Sequence, residues 1–333
     1  MTQAAPGEVL EFIRSGSKFI IAGHKEPDGD CIGSQLALCS VLRRMGKTAI
    51  PCSAGPFKRT EVMPYEKLFK PAPDENDKKE ARLILVDCSQ PGRSGDLEPH
   101  LKGLPAAIID HHASGAGEQH AENTLIFSNP GAPSTTSMIY TIIKALGMEL
   151  TGEEARLLLF GLCTDTGYFR HVDETGADVF TTTAELIRAG ANPKQVYADI
   201  YGGKSMNSRI LLGRTLARSQ SFFDGRLIIT HEEKEDIDEL GIESRDSDIL
   251  YQMLQSISGV QVIAYIRQET SQGNSGTNPE CSIGLRSRDQ FNVGRIAEAL
   301  NGGGHKNAAG CTIPGDIRNA EKIILEMFQT LGV

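Results

Sequence analysis

Asp110-His111-His112 places one carboxylate and two imidazoles directly after the apolar run Ala106-Ala107-Ile108-Ile109. Imidazole nitrogen combined with carboxylate oxygen is a donor set for divalent ions such as Mn²⁺, Zn²⁺ or Fe²⁺. The apolar run reads as a buried strand, and open α/β sheets bind ligands outside the carboxyl ends of their strands. Three further segments repeat the placement. Lys18-Phe19-Ile20-Ile21-Ala22 leads into Gly23-His24-Lys25-Glu26-Pro27-Asp28-Gly29-Asp30, Leu83-Ile84-Leu85-Val86 leads into Asp87, and the apolar stretch from Leu157 to Leu162 leads toward Asp165. In the first of these, a proline and two glycines let the backbone turn sharply and direct His24, Asp28 and Asp30 toward one point.

Asp28, Asp30, Asp87, Asp110 and Asp165 brought together would repel one another strongly enough to force some of them to protonate. Two divalent cations about 3.5 to 4 Å apart, sharing one carboxylate, would remove the repulsion. That arrangement hydrolyses phosphate esters: it generates hydroxide at neutral pH and neutralises charge on phosphoryl oxygens. Singly, each residue also has a structural reading. Asp28 and Asp30 suit a Pro/Gly turn, and Asp87 and Asp165 suit helix caps. The repetition at four strand or helix ends is what points to a reaction class. His100, His120, His171 and His231 fit no motif and read as ordinary surface or core histidines.

A second motif, Asn301-Gly302-Gly303-Gly304-His305-Lys306-Asn307-Ala308-Ala309-Gly310, follows the helix-like segment Val293 to Leu300. Its glycines could bring backbone amides against an anion, or could cap the preceding helix. Arg286, Arg288 and His305 favour the anion. Residues 260 to 310 carry five Lys and Arg against four Asp and Glu, so this half supplies positive groups that the first half lacks.

The elements that must position these residues alternate between strand and helix, which predicts an α/β protein. Strands are expected at 18–22, 82–87, 106–110 and 125–129. Helices are expected at about 31–46, after Pro133-Ser134, and from Thr151, where Glu154 completes a capping box. This is an N-terminal doubly wound, mostly parallel sheet over 1–190. A linker at 191–218 follows, helical in character but broken by Pro193 and by Gly202-Gly203, which would permit domain closure. A smaller C-terminal α/β domain over 219–333 carries strands at 225–231, 260–267 and 281–287, with a hairpin or loop at 270–279.

Bulk properties narrow the class. In 333 residues, 39% of them hydrophobic, no stretch approaches the ~18 apolar residues of a membrane span, and the N-terminus lacks a secretory apolar core. Seven cysteines without CxxC spacing read as reduced thiols, so a cytoplasmic protein is expected. A net charge of −9 argues against a broad basic surface for long nucleic acid.

GHKEPDGDCIGS, the LVD ending at Asp87, the DHH tripeptide, CTDTG around Asp165 and GGGH at 302–305 stand in one characteristic order and spacing. On these motifs the chain resembles the DHH/DHHA1 phosphoesterases over nearly its whole length, most closely the small bacterial type that degrades nanoRNA and dephosphorylates pAp. The resemblance implies one metal held by His24, Asp28 and Asp87 and a second by Asp30, Asp87, His111 and Asp165. Asp87 would bridge them, and Mn²⁺ is the commonly preferred ion. It also implies that His112 touches the scissile phosphate or leaving group while Asp110 orients the histidines. Arg286, Gly303, Gly304 and His305 would hold the substrate's terminal phosphate and nucleotide. Branches that process long DNA or work at the membrane carry an extra OB-like domain or transmembrane helices, for which there is no room here, and the pyrophosphatase branch lacks GGGH. The expected substrates are short RNA and pAp, and a homodimer is the expected assembly. Hydrolysis of cyclic di-AMP or linear dinucleotides is an alternative that shares every metal ligand. A nucleotide-binding regulator with a vestigial metal site is the non-enzymatic alternative.

Overall fold

The computed structural model describes residues 3–112, 124–273, 276–288 and 291–330; His120 lies outside the described residues. The chain divides into two compact units, Met1–Gly203 and Lys204–Val333. The first contains α1 (Gly7–Ser15), β1 (Lys18–Ala22), α2 (Gly29–Arg44), β2 (Thr48–Cys52), α3 (Glu75–Lys78), β3 (Arg82–Val86), α4 (Glu98–Leu101), β4 (Ala106–Asp110), β5 (Thr124–Ser128), α5 (Thr135–Ala145), α6 (Gly152–Asp165), α7 (Ala177–Arg188) and α8 (Pro193–Tyr201). The second contains α9 (Met206–Ala217), β6 (Gln220–Phe222), β7 (Leu227–Glu232), α10 (Lys234–Leu240), α11 (Ser247–Gln255), β8 (Val262–Gly273), β9 (Gly276–Ser287), α12 (Val293–Ala299), β10 (Gly303–His305), β11 (Ala308–Pro314) and α13 (Ile317–Thr330).

In the first unit five strands pair in the order β2-β1-β3-β4-β5, all parallel. Side chains alternate between two buried faces, as a sheet covered on both sides requires. Phe19, Ile21, Ile84, Val86 and Ile109 join the larger core with α2, α5 and α6. Ile20, Ala22, Leu83, Leu85 and Ile108 join a smaller core on the other side. The strand order reverses between β1 and β3, and such a switch point opens a crevice at the carboxyl edge.

Helix starts follow local capping chemistry. Ser134 accepts a hydrogen bond from the Ser137 amide at the start of α5, and Thr151 and Glu154 form a reciprocal capping box on α6. α2 and α6 then approach closely because glycines leave room. A Cβ on Gly33 would lie 2.5 Å from the Leu157 carbonyl oxygen, and one on Gly161 would lie 2.4 Å from the Thr136 methyl and 3.0 Å from the Asp30 backbone.

The second unit is a mixed sheet in the order β10-β11-β9-β8-β7-β6. Only β7 and β8 run parallel within it. One face packs on α12 and α13 through Ala264, Ile266, Ile283, Leu285, Ile296 and Phe328. α11 covers part of the other face through Leu250, Tyr251 and Leu254, against Ile263 and Tyr265. β8 and β9 continue their pairing out to Gly273 and Gly276, so the described residues of the 270–279 stretch are paired antiparallel strand.

Three expectations change. Pro193 does not break the helical 191–218 stretch: Asn192 caps α8 and Pro193 stands at its first turn, where a missing N–H costs nothing. Ser205 then caps α9, and the division between units falls at Gly203 and Lys204. β2 was not anticipated, because Thr-Ala-Ile-Pro-Cys is short and carries Pro51, which the sheet tolerates only because β2 is an edge strand. The glycine run divides between two roles: Asn301, with φ of 58°, and Gly302, whose amide donates to the Ala297 carbonyl at 2.7 Å, close the end of α12, while Gly303 and Gly304 belong to β10 of a hairpin with β11. Among the described residues no helix is long and apolar enough to cross a membrane.

Gly33→Ala should push α2 off α6. We expect a loss of about 1–3 kcal/mol in chemical denaturation, the usual cost of overpacking. Weaker binding of divalent cations should accompany it, because both helices carry carboxylates of the centre described next.

Candidate metal centre

The carboxyl ends of β1, β3 and β4 lead into residues of the centre. The chain leaves β1 at Gly23 and presents His24, then turns so that Asp28 caps α2, accepting from the Asp30 and Cys31 amides at 3.1 Å. Asp30 sits fully buried in the first turn of α2. It accepts from the Thr135 and Thr136 amides at 2.6 and 2.8 Å and from the Thr136 hydroxyl at 2.7 Å. The N-terminus of α5 therefore holds this carboxylate as helix N-termini hold anions. Asp87 follows β3 with φ of 55°, unusual for a residue with a side chain, and accepts from the Thr135 hydroxyl at 3.1 Å. Asp110 ends β4, and Asp165 ends α6.

The two oxygens of Asp87 face two different groups. Oδ2 lies 3.4 Å from His24 Nε2, which is 3.7 Å from Asp28 Oδ1. Oδ1 lies 3.7 Å from His111 Nε2, which is 3.3 Å from Asp165 Oδ2 and 4.0 Å from Asp30 Oδ2. These separations exceed hydrogen-bond length and approach the ~3 Å spacing of adjacent ligands on an ion with bonds of ~2.1 Å.

The imidazole tautomers fit a metal. His24 Nδ1 lies 2.8 Å from the Lys25 carbonyl and His111 Nδ1 lies 3.2 Å from the Ala132 carbonyl, so in both rings Nδ1 donates a hydrogen and, in the neutral imidazole, Nε2 carries the lone pair. His111 Nε2 is buried and has no hydrogen-bond partner among the described residues. An orphaned acceptor facing three carboxylates is accounted for by a cation. Cys31 also lies within 4.8 Å of His24 and Asp87 donor atoms, but burial pushes its thiol well up and away from the thiolate form. His112 stands apart in role: its amide and Nδ1 both donate to Asp110 Oδ1, at 3.1 and 2.8 Å, while the ring remains 43% exposed.

Burial and charge crowding perturb several members. Burial drives Asp30 upward, and the Asp87 and Asp165 charges add to the effect. Asp165 is pushed up to about 6, first by burial and then by Asp87 and Asp28. Burial opposes protonation of His24, yet the Asp28 and Asp87 carboxylates beside it outweigh burial and hold the imidazole up at about 10. Burial likewise raises Asp28, but His24 prevails and leaves it at about 2. The hydrogen bond to Asp110 raises His112.

Thus His24, Asp28, Asp30, Asp87, His111 and Asp165 are brought together, with Asp110 and His112 beside them. The glycine motif behaves differently. A cleft of about 660 Å³ in the second unit is lined by Arg286 and Gly302, whereas Gly303, Gly304 and His305 fall outside its lining. Gly302 and Gly304 are required by close packing, since a Cβ on either would lie 2.2 to 2.5 Å from β11 atoms. Register runs His305, Ala308, Arg286 across three strands, which puts His305 about 10 Å from Arg286 on the same face. Thr135 and Thr136 were not anticipated; the cluster Ser134-Thr135-Thr136-Ser137 at a helix start was the available signal.

Fold and site together define a two-unit α/β phosphoesterase. Residues 18–162 match the DHH family, N-terminal domain, and residues 228–331 match the DHHA1 domain. The chain is 30% identical over 324 residues to the bifunctional oligoribonuclease and PAP phosphatase NrnA of Thermus thermophilus, covering 96% of this chain and 91% of that one. It is 27% identical over 332 residues to the cyclic-di-AMP phosphodiesterase PdeA of Listeria monocytogenes, covering 95% of this chain and 48% of that one. A crystal structure of an exopolyphosphatase-related protein from Bacteroides fragilis shares the fold, with a TM-score of 0.80 at 22% identity over 97% of this chain and 95% of that one. The chain belongs to the DHH family of phosphoesterases, with a DHHA1 domain.

Asp30 and Asp165 are held above their unfolded values, so their protonation favours the fold at low pH and their ionisation opposes it as pH rises past about 6. Added Mn²⁺ should therefore raise the melting temperature more at about pH 8 than at about pH 5.5, and calorimetry should detect proton release, largely from His24. Equal stabilisation at both pH values would show that these carboxylates are not the ligands.

Proposed function

We propose that this protein hydrolyses phosphate esters of short nucleotides, cleaving nanoRNA to mononucleotides and removing the 3′-phosphate of pAp, with two divalent cations, Mn²⁺ by preference. The observation that carries the reading is the division of Asp87, with one oxygen toward His24 and Asp28 and the other toward His111, Asp30 and Asp165. Similarity to a relative named for both activities, over 96% of this chain, supports the choice of substrates.

His24, Asp28 and Asp87 would hold one cation, and Asp30, Asp87, His111 and Asp165 the other. Bound there, divalent cations supply Lewis acidity toward phosphoryl oxygens and a water of lowered pKa. The chain's own groups do the rest. The α5 N-terminus fixes Asp30, and its Thr135 hydroxyl fixes Asp87, so both carboxylates are oriented before substrate arrives. Asp110 holds His112 by Nδ1, which leaves Nε2 to meet the scissile phosphate or the leaving oxygen. With its pKa raised by Asp110, His112 is suited to donate a proton to that oxygen. In the second unit, Arg286 offers a planar fork to a phosphate.

Purified protein with Mn²⁺ should release mononucleotide from pApA and phosphate from pAp; inactivity on both would refute the reading. Single substitutions should separate the roles. Asp87→Asn and His111→Ala should lose metal and activity together. His112→Ala should keep its metal and slow turnover by roughly 10²–10⁴-fold, the usual scale for a lost general acid. Asp110→Asn should cost about 10–100-fold, as for a residue that orients a neighbour. Metal content and single-turnover rates measure both effects.

A further inference from the structure

α6 ends at Asp165, and the turn beyond it is left-handed over three residues. Gly167, Tyr168 and Phe169 have φ of 56°, 55° and 72° in succession. Glycine accepts that region freely, but a bulky side chain there is an outlier that its surroundings must hold in place. Here they do so. The Tyr168 amide donates to the Cys163 carbonyl at 2.7 Å, its hydroxyl donates to the Pro193 carbonyl at 2.8 Å, and the Phe169 amide donates to the Thr166 hydroxyl at 3.2 Å. The two rings, with centroids 5.4 Å apart, then extend a row in both directions. Phe169 meets Phe180 of α7 at 5.4 Å, and Tyr168 meets Tyr197 and Tyr201 of α8 at 5.2 and 6.2 Å.

This row stays at the surface. Phe180 and Tyr197, at either end, are 53% and 54% exposed, and the rings between them are half-buried. Single exposed apolar side chains are ordinary, whereas a contiguous strip marks a contact surface. Its setting identifies the contact. The strip begins three residues past Asp165, and near Tyr201 it meets the loop that follows β2: a Cβ on Gly203 would lie 3.9 Å from the Thr60 methyl. Burial raises the Tyr201 phenol, Arg170 pulls it back, and Glu61 of that loop pushes it up again. Arg59 of the same loop stands near the metal centre, where at Asp28 its charge joins His24 in opposing burial, and it forms no ion pair with a described residue. Arg170 fixes its Nε on the Gly167 carbonyl at 2.9 Å and has no carboxylate partner among the described residues, so the outer fork is open. Exposed ring faces beside unpaired guanidinium groups are the combination that holds single-stranded nucleic acid, with bases on the rings and phosphates on the cations. A protein partner would cover the rings equally well but would leave both arginines without an anion.

We propose that the ring row from Phe180 to Tyr197 is a stacking platform for the unpaired bases of a short oligonucleotide, with Arg59 and Arg170 holding its phosphates. The inference rests on the nucleotide-substrate reading above and adds where the bases lie. Every base has a π-face, so the platform favours single strands without reading their sequence.

The test is calorimetric binding of the trinucleotide ApApA to the full chain in chelator, where it is not cut, against an abasic trinucleotide of the same charge. Wild type should bind ApApA roughly fivefold or more tightly than the abasic strand, the low end of the scale for one stacked base. The chain has no tryptophan, so tyrosine emission is directly readable, and ApApA should quench it where the abasic strand does not. Phe180→Ala and Tyr197→Ala, both at exposed positions, should each remove most of the preference without lowering the melting temperature. Tyr197→Phe should keep it, because the ring survives without the hydroxyl, and Arg170→Gln should weaken both strands in parallel. No measurable binding of ApApA, full preference in both alanine variants, or loss in Tyr197→Phe equal to that in Tyr197→Ala would overturn the assignment. Equal binding of the two strands by wild type would overturn it too, and would leave the rings to a protein partner. Turnover of pApA by wild type with Mn²⁺ reads the functional proposal separately: its absence would sink that reading, while a base preference lost in Tyr197→Ala would still establish the platform.

Discussion

Carboxylates from α2, from the end of β3 and from the end of α6 converge on one edge of a parallel sheet, and the cost of their mutual repulsion governs the design of the first unit. Asp30 and Asp87 are buried, where water screens them least. The fold answers with partial positive charge at fixed places. The amides that open α5 close on Asp30, the Thr135 hydroxyl closes on Asp87, and the His24 imidazole stands between Asp28 and Asp87. None of these neutralises the site completely. The residual charge that raises Asp165 and Asp30 is also what attracts a divalent cation.

Backbone geometry serves the same end. Asp87 occupies a left-handed conformation directly after β3, at the point where the strand order reverses, and this turns its two oxygens toward different neighbours. Strain of that kind persists where the surroundings over-determine it and a function depends on it. The close approach of α2 and α6 at Gly33 and Gly161 contributes too, since it sets how near Asp28 and Asp30 come to Asp165. Packing and chemistry are therefore coupled in this unit.

The second unit solves the complementary problem. Its cleft gathers Arg267, Arg286 and the buried Tyr251 phenol, none of them ion-paired with a described residue, while the neighbouring Glu232 is committed to Arg245. A protein with a net charge of −9 can thus present a concentrated positive cleft without a basic surface. Charge sign is distributed by local pairing rather than by composition.

Much of this was legible in the sequence because local patterns encode elements. Apolar runs ending in His24, Asp87 and Asp110 marked strand ends, and Ser134, Thr151 and Glu154 marked helix starts, since caps and burial act within a few residues. Other features were hidden because they depend on partners remote in sequence. Pro51 is tolerable only in an edge strand, and edge position follows from strand order. Gly302 and Gly304 looked like a ligand cradle, but β11 packs against them. The α5 amides reach Asp30 across more than a hundred residues, and Arg267 meets Tyr251 and Arg286 only through the register of β8 and β9. The sequence by itself determined which side chains could do chemistry and which elements carried them. The tertiary structure decided which oxygen faces which imidazole and which cations stay unpaired, because those outcomes depend on distances that only strand order and register establish.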